Sequence, residues 1–176
     1  HHDEFNIFLI ENSENIIKSS AKTVDSILRD IQSFDDEIVS RFLELWKSKS
    51  LYYIKNTKQV VIVNENEESL DALEIDGLTR IGNYSKKEIK KIKPNSGVRA
   101  KIDSILVKYQ ISNSDINVRQ KSIESLKRNI RPEHLEVLQD AYINESDAEL
   151  KTVIDRLLKF AIVKYSDSND KKLEII

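Results

Sequence analysis

Cysteine and methionine are absent from this chain of 176 residues, and there are only three glycines and two prolines. Without cysteine there is no disulfide staple, no thiolate nucleophile and no cysteine-ligated zinc. So few glycines and prolines exclude a backbone dense in tight turns, and a mainly helical chain follows. The missing methionine and the opening His1-His2 read as the stub of a purification tag on a piece of a larger protein. No apolar run approaches the roughly 18–20 residues that cross a bilayer. The longest, Phe5 to Ile10 and Phe160 to Val163, are far shorter. Charge of one sign is lacking too. The net value of −2 argues against a dedicated nucleic-acid binder, and a hydrophobic share of 39% is enough for a core.

What is present is helical periodicity interrupted once. Ile17, Ala21, Val24, Leu28 and Ile31 line one stripe between Ser13 and Phe34. Asp35, Asp36 and Glu37 place negative charge at the start of a second helix, which carries Ile38, Phe42 and Leu45 beside Val39, Leu43 and Trp46. The period then changes. Leu51 to Lys55 and Gln59 to Val63 read as two strands around a polar turn, rich in β-branched and aromatic residues. Asp76-Gly77, within Leu73 to Ile81, signals a third strand or a second short hairpin. Lys86 to Lys93 reads as a short basic helix or turn ended by Pro94. Beyond it four helical stripes follow, centred on Ile102, Ile123, Leu138 and Ile154.

Two of these helices look alike. Ser114-Asp115-Ile116-Asn117-Val118-Arg119 aligns with Ser146-Asp147-Ala148-Glu149-Leu150-Lys151, and the same frame pairs Leu126 with Leu158 and Ile130 with Ile162. Ser146 with Glu149 has capping-box spacing. The base after each cap is placed to reach a carboxylate or helix end in the next unit. The expected architecture is mainly α, with HEAT-like helical repeats in an α-α superhelix and a small antiparallel β insertion. The expected divisions are a tag remnant and disordered start (1–4), an N-terminal helical unit (5–50), the β insertion with its basic helix (51–93), the repeats (94–165) and a truncated next repeat (166–176).

Enzyme signatures are missing from the sequence. His134, the one histidine outside the opening pair, reads as a surface helix residue, since further metal ligands at suitable spacing are not evident. The three glycines cannot make a phosphate loop, and the serines have no base with a supporting motif. Glu65, Glu67 and Glu68 lack the oxygen-ligand spacing of a calcium loop and read as a solvated segment. The lysines of 86–93 read as a solvated face, with nucleic acid or anionic lipid as alternatives. Tyr52 and Tyr53 point to opposite faces of a strand, and an exposed tyrosine beside Trp46 would make an interaction anchor. The expectation is a non-catalytic interaction domain with no cofactor and no metal.

Taken in order, the helix pair, Leu45-Trp46 running into Lys49-Ser50-Leu51-Tyr52-Tyr53, the strand Gln59 to Val63, and Lys90-Lys91-Ile92-Lys93-Pro94-Asn95 with Val98-Arg99 resemble one family. It is the extracytoplasmic N-terminal region of the urea ABC transporter permease (UrtB type), a relative of the branched-chain amino-acid permeases. The resemblance runs from about Ala21 to Ile162. Asn95 and Arg99 fit the family's pattern, whereas Ser96 stands where it has a second asparagine. The resemblance implies a periplasmic location, a membrane-embedded parent, and as partners a periplasmic urea-binding protein and the other permease and ATPase subunits. Trp46, Tyr52, Tyr53, Asn95 and Arg99 are the candidate interaction residues. The rival reading is a free-standing HEAT-like protein adaptor; nucleic-acid binding through the lysines is the weakest.

Overall fold

The computed structural model describes residues 2–166, in two compact units, one ending at Leu106 and the other starting at Val107. The first unit opens with α1 (His2–Glu11), α2 (Ser13–Ile17), α3 (Val24–Ile31) and α4 (Asp36–Lys47). Helix α1 begins at His2, so the segment expected as a disordered start is helical from residue 2 onward. Its reason for being ordered is apolar: Phe5 and Leu9, one turn apart, are both buried. Phe5 packs edge-on against Phe34 and Phe42 at 5.3 and 5.6 Å between ring centres. The Asn6 amide also donates to the Glu74 carboxylate at 2.9 Å.

The stripe from Ser13 to Phe34 is two helices, not one. Ser20 and Thr23 fold a turn between them, with Ser20 N–H donating to Thr23 Oγ1 and Thr23 N–H to Ser20 O. Short hydroxylated side chains compete with helical hydrogen bonds in this way. Beyond that turn Val24, Ile27, Leu28 and Ile31 recur at helical spacing, and all four are buried. Helix α4 buries Ile38, Val39, Phe42, Leu43 and Trp46.

The middle of the chain is a five-stranded antiparallel sheet: β1 (Tyr52–Ile54), β2 (Val60–Glu65), β3 (Leu70–Leu73), β4 (Arg80–Tyr84) and β5 (Ile89–Lys91), in the order β4-β3-β2-β1-β5. The first hairpin and the turn at Asp76-Gly77 lie where the sequence places them. Of the basic helix or turn expected at 86–93, only the turn is present. Residues 86–88 turn and β5 then pairs with β1, Ile89 opposite Ile54. An open strand edge offers hydrogen bonds that a two-turn helix cannot match, and it takes the segment. On one sheet face Ile54, Val61, Leu70, Ala72 and Ile89 form a small core, with Tyr52, Val63, Ile81 and Tyr84 partly buried at its margin.

The β3–β4 turn is tightly determined. The Asp76 carboxylate accepts from the N–H groups of Leu78 and Thr79 and from the Thr79 hydroxyl. Gly77 has φ +76°, and Arg41 reaches in from α4 to donate from Nε to Ile75 O. A Cβ on Gly77 would lie 2.8 Å from Arg41 Nη2. Gly77→Ala therefore meets both a left-handed backbone and a guanidinium that must move, and is expected to cost about 1–2 kcal/mol. Guanidinium-chloride unfolding checks it against Leu78→Ser. Leu78 is 85% exposed, so that change stays within about 0.5 kcal/mol. Equal effects of the two would refute this account of the turn.

Helix α5 (Ser96–Ile111) runs from the first unit into the second, where α6 (Ile116–Arg128), α7 (His134–Asn144) and α8 (Ala148–Tyr165) follow. Their core holds Ile123, Leu126, Val137, Leu138, Leu150, Ile154 and Leu157. Tyr165 closes it by donating its hydroxyl to Ile130 O at 2.6 Å.

The fold class is thus corrected. The described residues form eight helices and a five-stranded sheet, 56% helix and 13% strand, a mixed α/β protein and not an array of helical repeats with a small insertion. The sheet belongs to the same compact unit as α1 to α4. The 32-residue frame carries over the caps but not the buried stripe. Leu126 is 1% exposed, whereas its counterpart Leu158 is only partly buried against the same core. Ile123 is matched by the charged Asp155, and the buried Leu157 by Ser125. Two helices that turn different faces inward are not equivalent units. From residue 167 onward, the expected truncated repeat lies outside the described residues.

Candidate interaction surfaces

The residues expected to anchor a partner are scattered in their exposure. Trp46 is wholly buried against Phe42, 5.5 Å between ring centres, and offers nothing to a partner. Tyr52 and Tyr53 are half-buried on opposite faces of β1, and each ring carries a lysine. Lys91 Nζ lies 5.6 Å from the centre of Tyr52, and Lys58 Nζ 5.5 Å from that of Tyr53.

Asn95 and Arg99 sit together where the sheet ends and α5 begins. The Asn95 side-chain oxygen accepts from Val98 N–H at 2.9 Å, filling one of the unpaired amides of the first helical turn. Arg99 Nη1 donates to Pro94 O at 2.8 Å, and its own N–H donates to Asn95 O. Pro94 is buried beneath this junction, Asn95 is exposed and Arg99 half-buried. Ser96 is an exposed first residue of α5.

In the second unit the base after the cap does reach a carboxylate. Arg119 donates from Nε and Nη2 to the two oxygens of Glu145, at 2.9 and 3.0 Å, and from Nη1 to the carbonyls of Asn113 and Ser114. The side chains are 15% and 2% exposed. Burial pushes the Glu145 carboxyl up, but the guanidinium and the N–H groups of Asp147 and Ser146 hold it below the usual carboxylate range. Bonds to Glu145, working against burial, raise the Arg119 guanidinium in turn. The caps themselves are Asp115 and Asp147, which accept from Asn117 N–H and Leu150 N–H. The spacing that singled out Ser146 was one residue early. Lys151, the counterpart of Arg119, lies over the Tyr142 ring at 4.7 Å instead.

His134 is 1% exposed, not the surface histidine its neighbours suggested. Its Nδ1 accepts from Arg131 N–H at 3.0 Å, so the ring stabilises the turn into α7. Glu65 to Glu68 are exposed, as a solvated segment should be. Among the described residues no group of three or more acidic or histidine side chains is placed to hold a metal ion, and no helix is long and apolar enough to cross a membrane. The outward side of α8 carries exposed Phe160 and Val163, near a groove of about 240 Å³ lined by Lys127, Val153, Arg156 and Leu157.

No protein-family model, curated protein or solved structure matches the chain. The family resemblance therefore rests on the order of the residues themselves.

One grouping was not legible in the sequence. Antiparallel pairing of β5 with β1 sets Lys55 and Lys58 beside the lysines of 86–93, with Lys55 N–H donating to Glu88 O at 2.8 Å. Only knowledge that β5 returns to β1 could have joined the two segments.

Proposed function

We propose that this chain is a non-catalytic accessory domain of a urea ABC transporter permease, on the extracytoplasmic side of the membrane, that docks or orients the substrate-binding protein. What supports the reading is the junction from Ile92 to Arg99. The asparagine and arginine that carry the resemblance occupy the two places such a junction needs filled: Asn95 caps the long helix and Arg99 holds the carbonyl of Pro94. Ser96, the departure from the pattern, makes no demand there, because it is exposed at the helix start. The proposed role needs a surface and no reacting group.

The test is a calorimetric titration of the chain with the cognate urea-binding protein, with and without urea. Association in the micromolar range that differs between the two conditions is expected, as transient interfaces of modest area give. No association in either condition removes the docking role.

A free-standing protein adaptor is the second reading. The exposed Phe160 and Val163 beside a groove favour it, since clustered apolar residues on a helix suit a partner. The reading frame around the chain separates the two. A signal peptide upstream and hydrophobic spans downstream point to the transporter; an immediate stop points to the adaptor.

A further inference from the structure

The lysines along one edge of the sheet carry an inference that does not depend on the partner named above. Lys55 and Lys58 meet the five lysines between positions 86 and 93, and all seven are exposed. None forms an ion pair among the described residues. The one carboxylate in these segments, Glu88, accepts from Ser85 N–H, which holds it below the usual range. In a chain of net charge −2, this edge is a concentrated positive surface against an acidic remainder. Lysines on an edge strand also discourage strands from adding to it. That explanation covers Lys90 and Lys91 but not Lys55, Lys58, Lys86 and Lys87, which lie in turns outside the ladder.

The chemistry of the patch narrows its partner. It contains no arginine. Protein interfaces favour arginine and are depleted in lysine, because the planar guanidinium recognises carboxylates by paired bonds and is weakly hydrated. Single-stranded nucleic acid needs open aromatic faces on which to stack, and the rings of Tyr52 and Tyr53 each lie beneath a lysine ammonium. Long, exposed lysines along a strand edge suit a fluid layer of anionic headgroups, where nearness of charge is enough and no fixed geometry is required.

We propose that the β1–β5 edge docks on an anionic phospholipid surface.

The experiment is sedimentation of the full chain with phosphatidylcholine vesicles, with and without phosphatidylglycerol. Binding is expected only with phosphatidylglycerol, and is lost on adding salt. The variant Lys55→Gln/Lys58→Gln/Lys90→Gln/Lys91→Gln should lower partitioning by at least about 100-fold, since each lysine near such a surface contributes about fivefold. Lys86→Gln/Lys87→Gln should lower it by about 20-fold. A control with the same loss of charge elsewhere, Lys18→Gln/Lys22→Gln/Lys108→Gln/Lys121→Gln, should leave it within a few-fold. Circular dichroism unchanged from wild type shows that the variants are folded. Failure to bind anionic vesicles, or equal losses in patch and control variants, overturns the proposal. So does displacement by inorganic phosphate at matched ionic strength, which would mean a site for the free anion. Tighter binding to a single-stranded oligonucleotide than to the vesicles overturns it in favour of nucleic acid.

Discussion

Trp46→Ala is expected to remove about 4 kcal/mol of stability, the largest effect of any single substitution considered for this protein. The side chain is the largest of those fully buried, and it closes the aromatic run from Phe5 through Phe42. Truncation loses its burial and leaves a cavity that a close-packed interior fills only in part. Trp46→Phe separates packing from polarity. The indole N–H has no hydrogen-bond partner within the protein, so removing it leaves nothing unpaired behind. The phenylalanine variant should therefore lose less than about 2 kcal/mol. Guanidinium-chloride unfolding followed by circular dichroism measures both, because the alanine variant has no tryptophan to report by fluorescence. If the two variants lose the same amount, the indole N–H holds something in place and the burial account is wrong.

Glu145→Ala should remove about 2 kcal/mol, less than the roughly 3–5 kcal/mol of a fully buried ion pair because Arg119 keeps some contact with water. The substitution strips Arg119 of its charged partner and Asp147 N–H of its acceptor. Arg119 would retain the carbonyls of Asn113 and Ser114, which limits the loss. The effect carries a pH signature. The folded carboxyl titrates below the ordinary glutamate value of 4.5, so the folded state binds fewer protons than the unfolded one in that window. Stability from Glu145 is complete above 4.5 and is lost as pH falls through the lowered folded value. The gap between wild type and Glu145→Ala should be constant near neutrality and close on acidification. Glu145→Gln, which keeps an acceptor without the charge, should lose less and lack most of that pH dependence. A gap unchanged down to the acid transition would show that the ion pair contributes nothing.

These two substitutions probe contacts of opposite legibility. The burial of Trp46 follows from its place beside Phe42 and Leu43 on an apolar helical face, yet it also stands among the candidate interaction residues. An aromatic beside a helix end serves equally as core or contact, and only neighbours supplied by other elements decide. Here the neighbour from another element is Phe5 of α1, which packs on Phe42, the ring that lies against Trp46 within α4 itself. Arg119 followed from its position after a cap, in general form: a base reaching a carboxylate near the next helix. Which carboxylate was a matter of geometry, and it is Glu145, two residues ahead of Asp147.

Helix repeats failed as a description for a related reason. Caps depend on a few consecutive residues, so Asp115 and Asp147 recur faithfully in similar backbone conformations. A buried face depends on what lies opposite. Neither helix's sequence states that, and α6 and α8 turn different sides inward.

By itself, the amino-acid sequence determined what short-range physics controls: the apolar stripes, the caps near positions 115 and 147, the first hairpin and the turn at Asp76-Gly77. Tertiary structure alone decided that residues 89–91 are a strand. Ile89 and Ile92, both buried, are three apart, which suits one helix face and not the two-residue alternation of a strand, so periodicity pointed to the helix. The free edge of β1 settled it by offering backbone hydrogen bonds to a segment some 35 residues away. That one long-range pairing added the fifth strand to β1–β4 and gathered two sets of lysines into a single charged edge.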